Sequence, residues 1–222
     1  MRYYVNMIMI VIAACSTLSD LAHASSPLPI RIVMVGDSIT AGAQLTKETA
    51  LTARLEQKLL SEGYNVEMID FTSPTQVSTE AHARLDEIMA LEPDIVLLQM
   101  GFNDALRGLD LTKNLYTSLY QMTGLLAKKN IGIVLLGTKT PDHTGKKAAH
   151  TLDYIYRSVA SHRMTFYPDI LDSLEGRPDL TLADGFHPNG NGVLAMVQSI
   201  YPYIEPLVVW RINLQIHEFE SR

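Results

Sequence analysis

Short apolar runs alternate along the chain with longer segments of helical periodicity. The run IRIVMV (30–35) is rich in β-branched residues, which is typical of a buried strand. In ETALTARLEQKLLSEG (48–63), leucine and alanine recur at the three- and four-residue spacing of an amphipathic helix that ends at glycine. The pattern therefore predicts a strand followed by a helix as the first structural unit.

The same unit recurs towards the C-terminus. Further strands are predicted at 64–71, 94–100, 131–137 and 164–168, and further helices at 78–92, 111–130, about 147–162 and from about Pro188 to Val209. Strands that alternate with helices, several of them apolar on both faces, indicate a parallel sheet covered on both sides. The predicted fold is therefore α/β, a three-layer α/β/α sandwich with about five parallel strands.

The length and charge of the chain restrict its organisation and partners. Its 222 residues, 47% of them hydrophobic, suffice for one full core, and we place a single domain at 29–209. A net charge of -6 provides no basic face for a phosphate backbone, so we expect no nucleic-acid partner. Residues 210–222 form a C-terminal extension that mixes apolar and charged side chains. This composition allows two alternatives, a continuation of the last helix or packing as an edge.

The first residues have the outline of an export signal. The segment MRYYVNMIMIVIAACSTLSDLAHASS has a cationic Arg2, an apolar stretch of about a dozen residues and a small-x-small pattern at 22–24. The apolar run is shorter than the ~18 residues that a membrane span requires. We therefore predict a signal peptide over 1–24 and an exported protein, either periplasmic or secreted.

Cys15, the only cysteine, leaves a second form of processing open. It ends the tetrapeptide IAAC (12–15), which resembles a bacterial lipobox, so that cleavage before Cys15 would leave a lipidated N-terminus tethered to a membrane. Neither alternative leaves a cysteine in the folded domain, and His143 and His150 have no carboxylate cluster at ligand spacing. We expect no disulfide, no thiol nucleophile, no metal and no cofactor.

Polar residues follow the predicted strands where a parallel sheet binds its ligands, outside the carboxyl ends of the strands. The first three strands end in GDSIT (36–40), DFTSPTQ (70–76) and GFND (101–104), and DGFHPNGNG (184–192) precedes the last helix. Each fragment alone also fits a turn or a helix cap. Together they bring serine, asparagine, aspartate and histidine to one rim of the sheet.

These residue types suit nucleophilic catalysis. A serine hydroxyl becomes an effective nucleophile when an imidazole takes its proton, and a carboxylate fixes the tautomer of that imidazole. Ser38 would then attack, His187 would carry the proton and Asp184 would orient His187. The backbone N–H of Ser38 and the side-chain amide of Asn103 are candidate donors to the developing oxyanion.

The motifs resemble those of the SGNH (GDSL) hydrolase family, in its branch of secreted arylesterases, acyl-CoA thioesterase I and lysophospholipase L1. The blocks VGDSITAG, GFNDALRG and DGFHPNGNG occur in the family order within about 30–209. The resemblance implies a flavodoxin-like strand order of 2-1-3-4-5 and a catalytic triad of Ser38, Asp184 and His187. It also implies that Asn103 is an oxyanion donor. The implied activity is hydrolysis of small to medium acyl esters and thioesters, with lysophospholipids as a further substrate class, through an acyl-serine intermediate.

Two positions depart from the family pattern. The second family block supplies a glycine N–H to the oxyanion, whereas residues 64–100 contain no glycine and Thr75 stands near that position. Threonine can donate its N–H but does not readily adopt a positive φ, so a geometry that needs one would strain or rearrange the site. The second departure is Phe102, a large ring beside Asn103 where a small residue is usual. We expect this ring to narrow or reshape the acyl pocket.

Two other functions are compatible with the sequence. A carbohydrate O-deacetylase would use the same triad, but the loops offer no evident aromatic platform, and Trp210, the only tryptophan, follows the last predicted helix. A catalytically impaired envelope binding protein would result if Thr75 and Phe102 had abolished the oxyanion hole. Nucleotide binding is disfavoured, because VGDSITAG lacks the glycine and lysine pattern of a phosphate loop. The sequence does not predict the physiological substrate or the oligomeric state.

Overall fold

One parallel sheet of five strands organises the computed structural model, which describes residues 28–140, 145–160 and 164–221. The strands are β1 (Ile30–Val35), β2 (Val66–Asp70), β3 (Ile95–Gln99), β4 (Gly132–Leu136) and β5 (Thr165–Tyr167). Their order is β2-β1-β3-β4-β5, and every pairing is parallel. The predicted fold class and strand order are confirmed.

Helices cover both faces of this sheet. They are α1 (Leu51–Ser61), α2 (Ser78–Ala83), α3 (Leu85–Ala90), α4 (Phe102–Leu106), α5 (Thr117–Lys128), α6 (Lys146–Val159) and α7 (Gly190–Glu220). Helices α1 and α7 pack on one face, and α2, α3, α5 and α6 pack on the other. Short helical turns connect them at Lys47–Thr49, Thr112–Tyr116, Asp172–Leu174 and Pro178–Leu180.

The interior strands are apolar on both faces because each face meets helices. In β1, Ile32 and Met34 pack towards α1 and α7, whereas Val33 and Val35 pack towards the helices of the opposite face. Every residue of β3 and β4 is buried. Full burial of one such apolar side chain contributes about 1.5–3 kcal/mol, so these strands form a rigid base for the loops at their carboxyl ends.

Three helical segments differ from the prediction. The segment predicted as one helix over 78–92 forms α2 and α3, which meet at Arg84, where φ is -99° and ψ is 15°. The helix predicted over 111–130 begins with a π-helical turn, which accommodates an extra residue per turn. Helix α4 was not predicted, and it begins after Gly101, whose φ is 118°. A Cβ at Gly101 would lie 2.8 Å from Leu115 and from the Tyr156 hydroxyl, so this position requires glycine.

Helix α7 starts later and ends later than predicted. The Asn189 side chain accepts hydrogen bonds from two N–H groups of the first turn, so the helix begins after Pro188 rather than at it. The helix continues through 210–220, so the C-terminal extension continues the last helix and does not pack as an edge. Arg211 Nε lies 2.5 Å from Asp94 Oδ1 and holds the extension against the start of β3.

Length and composition alone would also allow α7 to cross a membrane, since its apolar window has a mean hydropathy of 1.3. Its buried side chains, from Val193 to Val208, instead belong to the core between the sheet and α1. In this fold α7 is therefore a core helix.

Candidate active site

Ser38 lies in a tight turn directly after β1. The Asp37 carboxylate accepts hydrogen bonds from the Ile39 N–H and from the Gln99 amide, both at 3.1 Å. Gln99 Oε1 accepts the Asp37 N–H at 3.2 Å, so the turn is fixed to the end of the central strand β3. A Cβ at Gly36 would lie 2.0 Å from the Thr40 hydroxyl, and only glycine therefore fits before the Asp-Ser pair. The turn holds the Ser38 side chain at the carboxyl edge of the sheet.

Two carboxylates at this turn are buried and interact electrostatically, Asp37 within the turn and Asp104 on α4. Burial raises the pKa of Asp37 to about 7, although hydrogen bonds from Ile39, Gln99 and the Phe102 N–H oppose the shift. Burial also raises the pKa of Asp104, which accepts the N–H of Ser78 at 3.0 Å together with its hydroxyl. Within the described ranges, no group of three or more His, Cys, Asp or Glu side chains could hold a metal ion.

The loop before α7 brings Asp184 and His187 to Ser38. His187 Nε2 lies 3.0 Å from Ser38 Oγ, and His187 Nδ1 lies 2.7 Å from Asp184 Oδ2. Because Nδ1 faces the carboxylate, it carries the proton of the neutral imidazole, which leaves Nε2 free to accept the serine O–H. The three residues of the predicted triad thus form one hydrogen-bonded chain.

The surroundings of Asp184 keep it ionised. Burial alone would raise its pKa, but hydrogen bonds from the His187 ring and from the N–H groups of Phe186 and His187 outweigh burial and lower the pKa. Both N–H groups donate to Asp184 Oδ1 at 2.9 Å. One carboxylate oxygen is therefore held by the loop backbone, and the other orients the imidazole.

The Asn103 side chain holds the loop that contains Thr75. Its Nδ2 donates hydrogen bonds to the carbonyls of Pro74 and Gln76, both at 3.0 Å. Arg107 Nη2 donates to the carbonyl of Thr75 at 2.6 Å. Three successive carbonyls are thus bound by side chains at α4 and just after it. Sequence reasoning assigned the Asn103 amide to the oxyanion and missed this clamp on the loop.

Thr75 occupies a turn that needs no positive φ. The Gln76 N–H donates to the Ser73 carbonyl at 3.0 Å, which places Pro74 second and Thr75 third in a β-turn. A type II turn would require positive φ at the third position, but Thr75 is not among the residues with positive φ. The strain that a threonine would suffer in that conformation therefore does not arise. Among the described residues, the N–H groups of Thr75 and Ser38 have no hydrogen-bond acceptor.

The Phe102 ring is buried, with 4% of the residue exposed. It stacks on the ring of Phe186, with ring centroids 4.4 Å apart and planes inclined by 16°. Phe186 in turn meets the His187 ring edge-on, at 5.3 Å and 88°. The ring that was expected to reshape an acyl pocket thus packs against the loop that carries the histidine.

Comparison with known proteins extends the likeness from these motifs to most of the chain. The model of the GDSL-like Lipase/Acylhydrolase family matches residues 34–194. Esterase TesA of Pseudomonas aeruginosa is 28% identical over 179 residues, which cover 80% of this chain and 89% of that protein. An arylesterase of Vibrio mimicus is 28% identical over 167 residues, which cover 74% of this chain and 83% of that protein.

The fold comparison agrees with the sequence comparison. The crystal structure of TesA matches with a TM-score of 0.75 at 27% identity, and the match covers 80% of this chain and 99% of that one. The predicted family, the fold class and the assignment as an ester hydrolase are confirmed. This chain belongs to the GDSL-like lipase/acylhydrolase family.

Proposed function

We propose that the protein hydrolyses small to medium acyl esters and thioesters through an acyl-Ser38 intermediate. The observation that carries this proposal is the chain of contacts from Ser38 Oγ to His187 Nε2 at 3.0 Å and from His187 Nδ1 to Asp184 Oδ2 at 2.7 Å. In this arrangement the imidazole can take the serine proton while the carboxylate stabilises the imidazolium.

The reaction then has two halves. Ser38 Oγ attacks the carbonyl carbon, and its proton passes to His187 Nε2. The tetrahedral intermediate collapses as His187 returns that proton to the departing alkoxide or thiolate, which leaves as an alcohol or a thiol. A water molecule that gives its proton to His187 next attacks the acyl carbon, and the second collapse releases the acid and restores Ser38.

We assign the oxyanion to the backbone N–H groups of Ser38 and Thr75. Neither group has an acceptor among the described residues, and the Thr75 loop is bound through its carbonyls by Asn103 and Arg107. Loss of one such donor typically costs about 3–4 kcal/mol of the activation barrier. Asn103 serves the oxyanion indirectly in this proposal, because its amide fixes the Thr75 loop through the carbonyls of Pro74 and Gln76.

The decisive experiment compares the parent enzyme with Ser38→Ala. The substrates are p-nitrophenyl esters of increasing chain length and acyl thioesters. We expect turnover by the parent and a loss of at least ~10³-fold in kcat for Ser38→Ala. Ser158→Ala, which changes an exposed serine of α6, is the matched control and should keep parental rates.

Three results would contradict the proposal. They are a parent that turns over no ester or thioester, a Ser38→Ala variant that matches the parent, and cleavage of acetylated sugars alone. The last result would favour the carbohydrate O-deacetylase instead.

We also propose that the protein is exported. The support is the signal-like segment over 1–24, which lies outside the described residues. The intact mass of protein isolated from an exporting bacterium distinguishes cleavage after Ala24 from lipidation at Cys15. Full-length, unprocessed protein in the cytosolic fraction would contradict export.

A further inference from the structure

The loop that carries Asp184 and His187 is tied by its backbone mainly to the segment just before it. The Leu182 N–H donates to the His187 carbonyl at 2.8 Å, and the Asn189 N–H donates to the Leu180 carbonyl at 2.9 Å. Asp184 is exposed at the surface. These backbone bonds shape the loop itself, but they do not fix it relative to the turn that carries the serine.

Aromatic packing connects the loop that carries Asp184 and His187 to the core. The Phe186 ring packs against the core and stacks on the buried Phe102 ring with centroids 4.4 Å apart. Its edge-on contact with His187 has a centroid separation of 5.3 Å. Offset stacking and edge-on contact are the two favourable arrangements of neighbouring rings. The histidine ring is therefore supported from the side by a ring that is itself held by the core.

Phe102 is in turn connected to the serine turn. It is the first residue of α4 and lies three residues after Gln99, whose amide donates to the Asp37 carboxylate at 3.1 Å. Asp37 immediately precedes Ser38 and accepts the Ile39 N–H at 3.1 Å. Phe102 thus follows the strand end that is hydrogen-bonded to the serine turn, and its side chain contacts the histidine loop.

We propose that Phe102 and Phe186 are positioning residues that hold His187 Nε2 at hydrogen-bond distance from Ser38 Oγ. This inference rests on the proposed function of the same site. Phe186 contacts the His187 ring and Phe102 contacts Phe186, so their contribution comes through His187. Loss of either ring leaves the loop free to move relative to the serine turn, and proton transfer depends steeply on that alignment.

The test uses leucine variants that keep an apolar side chain but remove the ring. We expect Phe102→Leu and Phe186→Leu each to lower kcat by ~10- to 100-fold, with KM changed by less than ~3-fold. Phe166→Leu is the matched control. The ring of Phe166, on β5, packs against the ring of Tyr156 with centroids 6.3 Å apart and is not part of the stack of Phe102 and Phe186. Phe186→Tyr keeps the ring and should retain kcat within ~3-fold of the parent.

A double variant separates a shared role from two independent ones. If the rings act through their mutual contact, Phe102→Leu combined with Phe186→Leu should lower kcat about as much as either change alone. Fully additive losses, or single variants that match Phe166→Leu in kcat, would overturn the proposal. Thermal unfolding followed by circular dichroism confirms that each variant is folded at the assay temperature.

A spectroscopic measurement tests the same inference without turnover. The 15N resonance of His187 Nε2, which lies 3.0 Å from Ser38 Oγ, should have the shift of a hydrogen-bonded ring nitrogen in the parent, in Phe166→Leu and in Phe186→Tyr. We expect it to broaden or to move towards the shift of a ring nitrogen without this hydrogen bond in the leucine variants of Phe102 and Phe186. An unchanged resonance in those variants would refute the positioning role, whereas a parent that turns over no ester would refute only the proposed function.

Discussion

Replacing Asn103 by alanine should destabilise the protein as well as lower its activity. Asn103 is 6% exposed, and its amide donates two hydrogen bonds of 3.0 Å to the carbonyls of Pro74 and Gln76. A hydrogen bond between neutral groups contributes about 1 kcal/mol net, so the loss of two lowers the free energy of unfolding by about 2 kcal/mol. An amide that acted only on the oxyanion would leave stability unchanged.

Urea and thermal unfolding, followed by circular dichroism, measure this effect. For a chain of this size each kcal/mol shifts Tm by about 2–4 °C, so Asn103→Ala should unfold about 4–8 °C below the parent. Asn213→Ala, at an exposed position of α7, is the matched control and should not lower Tm. If Asn103→Ala unfolds with the parent while its kcat falls, the amide does not clamp the loop and the reasoning is refuted.

Three further predictions concern the same turns. Thr75→Gly keeps the backbone N–H and should leave kcat within ~3-fold of the parent, whereas a gain of ~10-fold or more would show that the natural donor is impaired. Asp184→Asn should lower kcat by ~10³–10⁴-fold with little change in Tm, and a small kinetic loss would contradict its orienting role. Because burial raises the pKa of Asp37 from 3.8 to about 7, the folded chain binds more protons than the unfolded chain between these values, and stability should fall as pH rises through that window. Urea titrations at about pH 5 and about pH 8 should show a lower free energy of unfolding at the higher pH in the parent and a smaller decrease in Asp37→Asn. Equal decreases in the two proteins would contradict the prediction.

The layout of the fold was predictable because its strongest signals are local. Strands β3 and β4 are buried throughout, so their sequences are continuous apolar runs between turn residues. The helix boundaries were less predictable. The break between α2 and α3 falls at Arg84, which is neither a glycine nor a proline and therefore gives no sequence signal of a helix end. The order of the strands required the resemblance of the motifs to a known family, because periodicity within a strand does not specify its neighbours.

The proximity of the residues of the proposed triad was predictable for a related reason. Ser38 follows a strand, and Asp184 and His187 precede a helix, so a parallel sheet brings them to one edge. The contacts between loops were not predictable in this way. The stack of Phe102 on Phe186 joins positions far apart in the chain, and the only sequence signals were two phenylalanines beside motif residues.

The turn around Thr75 shows how a threonine can stand near the position where the family pattern has glycine. In a planar trans peptide unit, the carbonyl oxygen and the amide hydrogen point in opposite directions. The Pro74 carbonyl and the Thr75 N–H share one such unit, and Asn103 binds that carbonyl at 3.0 Å. Asn103 therefore directs the N–H of Thr75 away from itself, while Pro74 supplies the φ of the second turn position and Thr75 keeps an ordinary φ in the third. The direction of the proposed oxyanion donor is thus set by a side chain on α4, and no glycine is needed to set it.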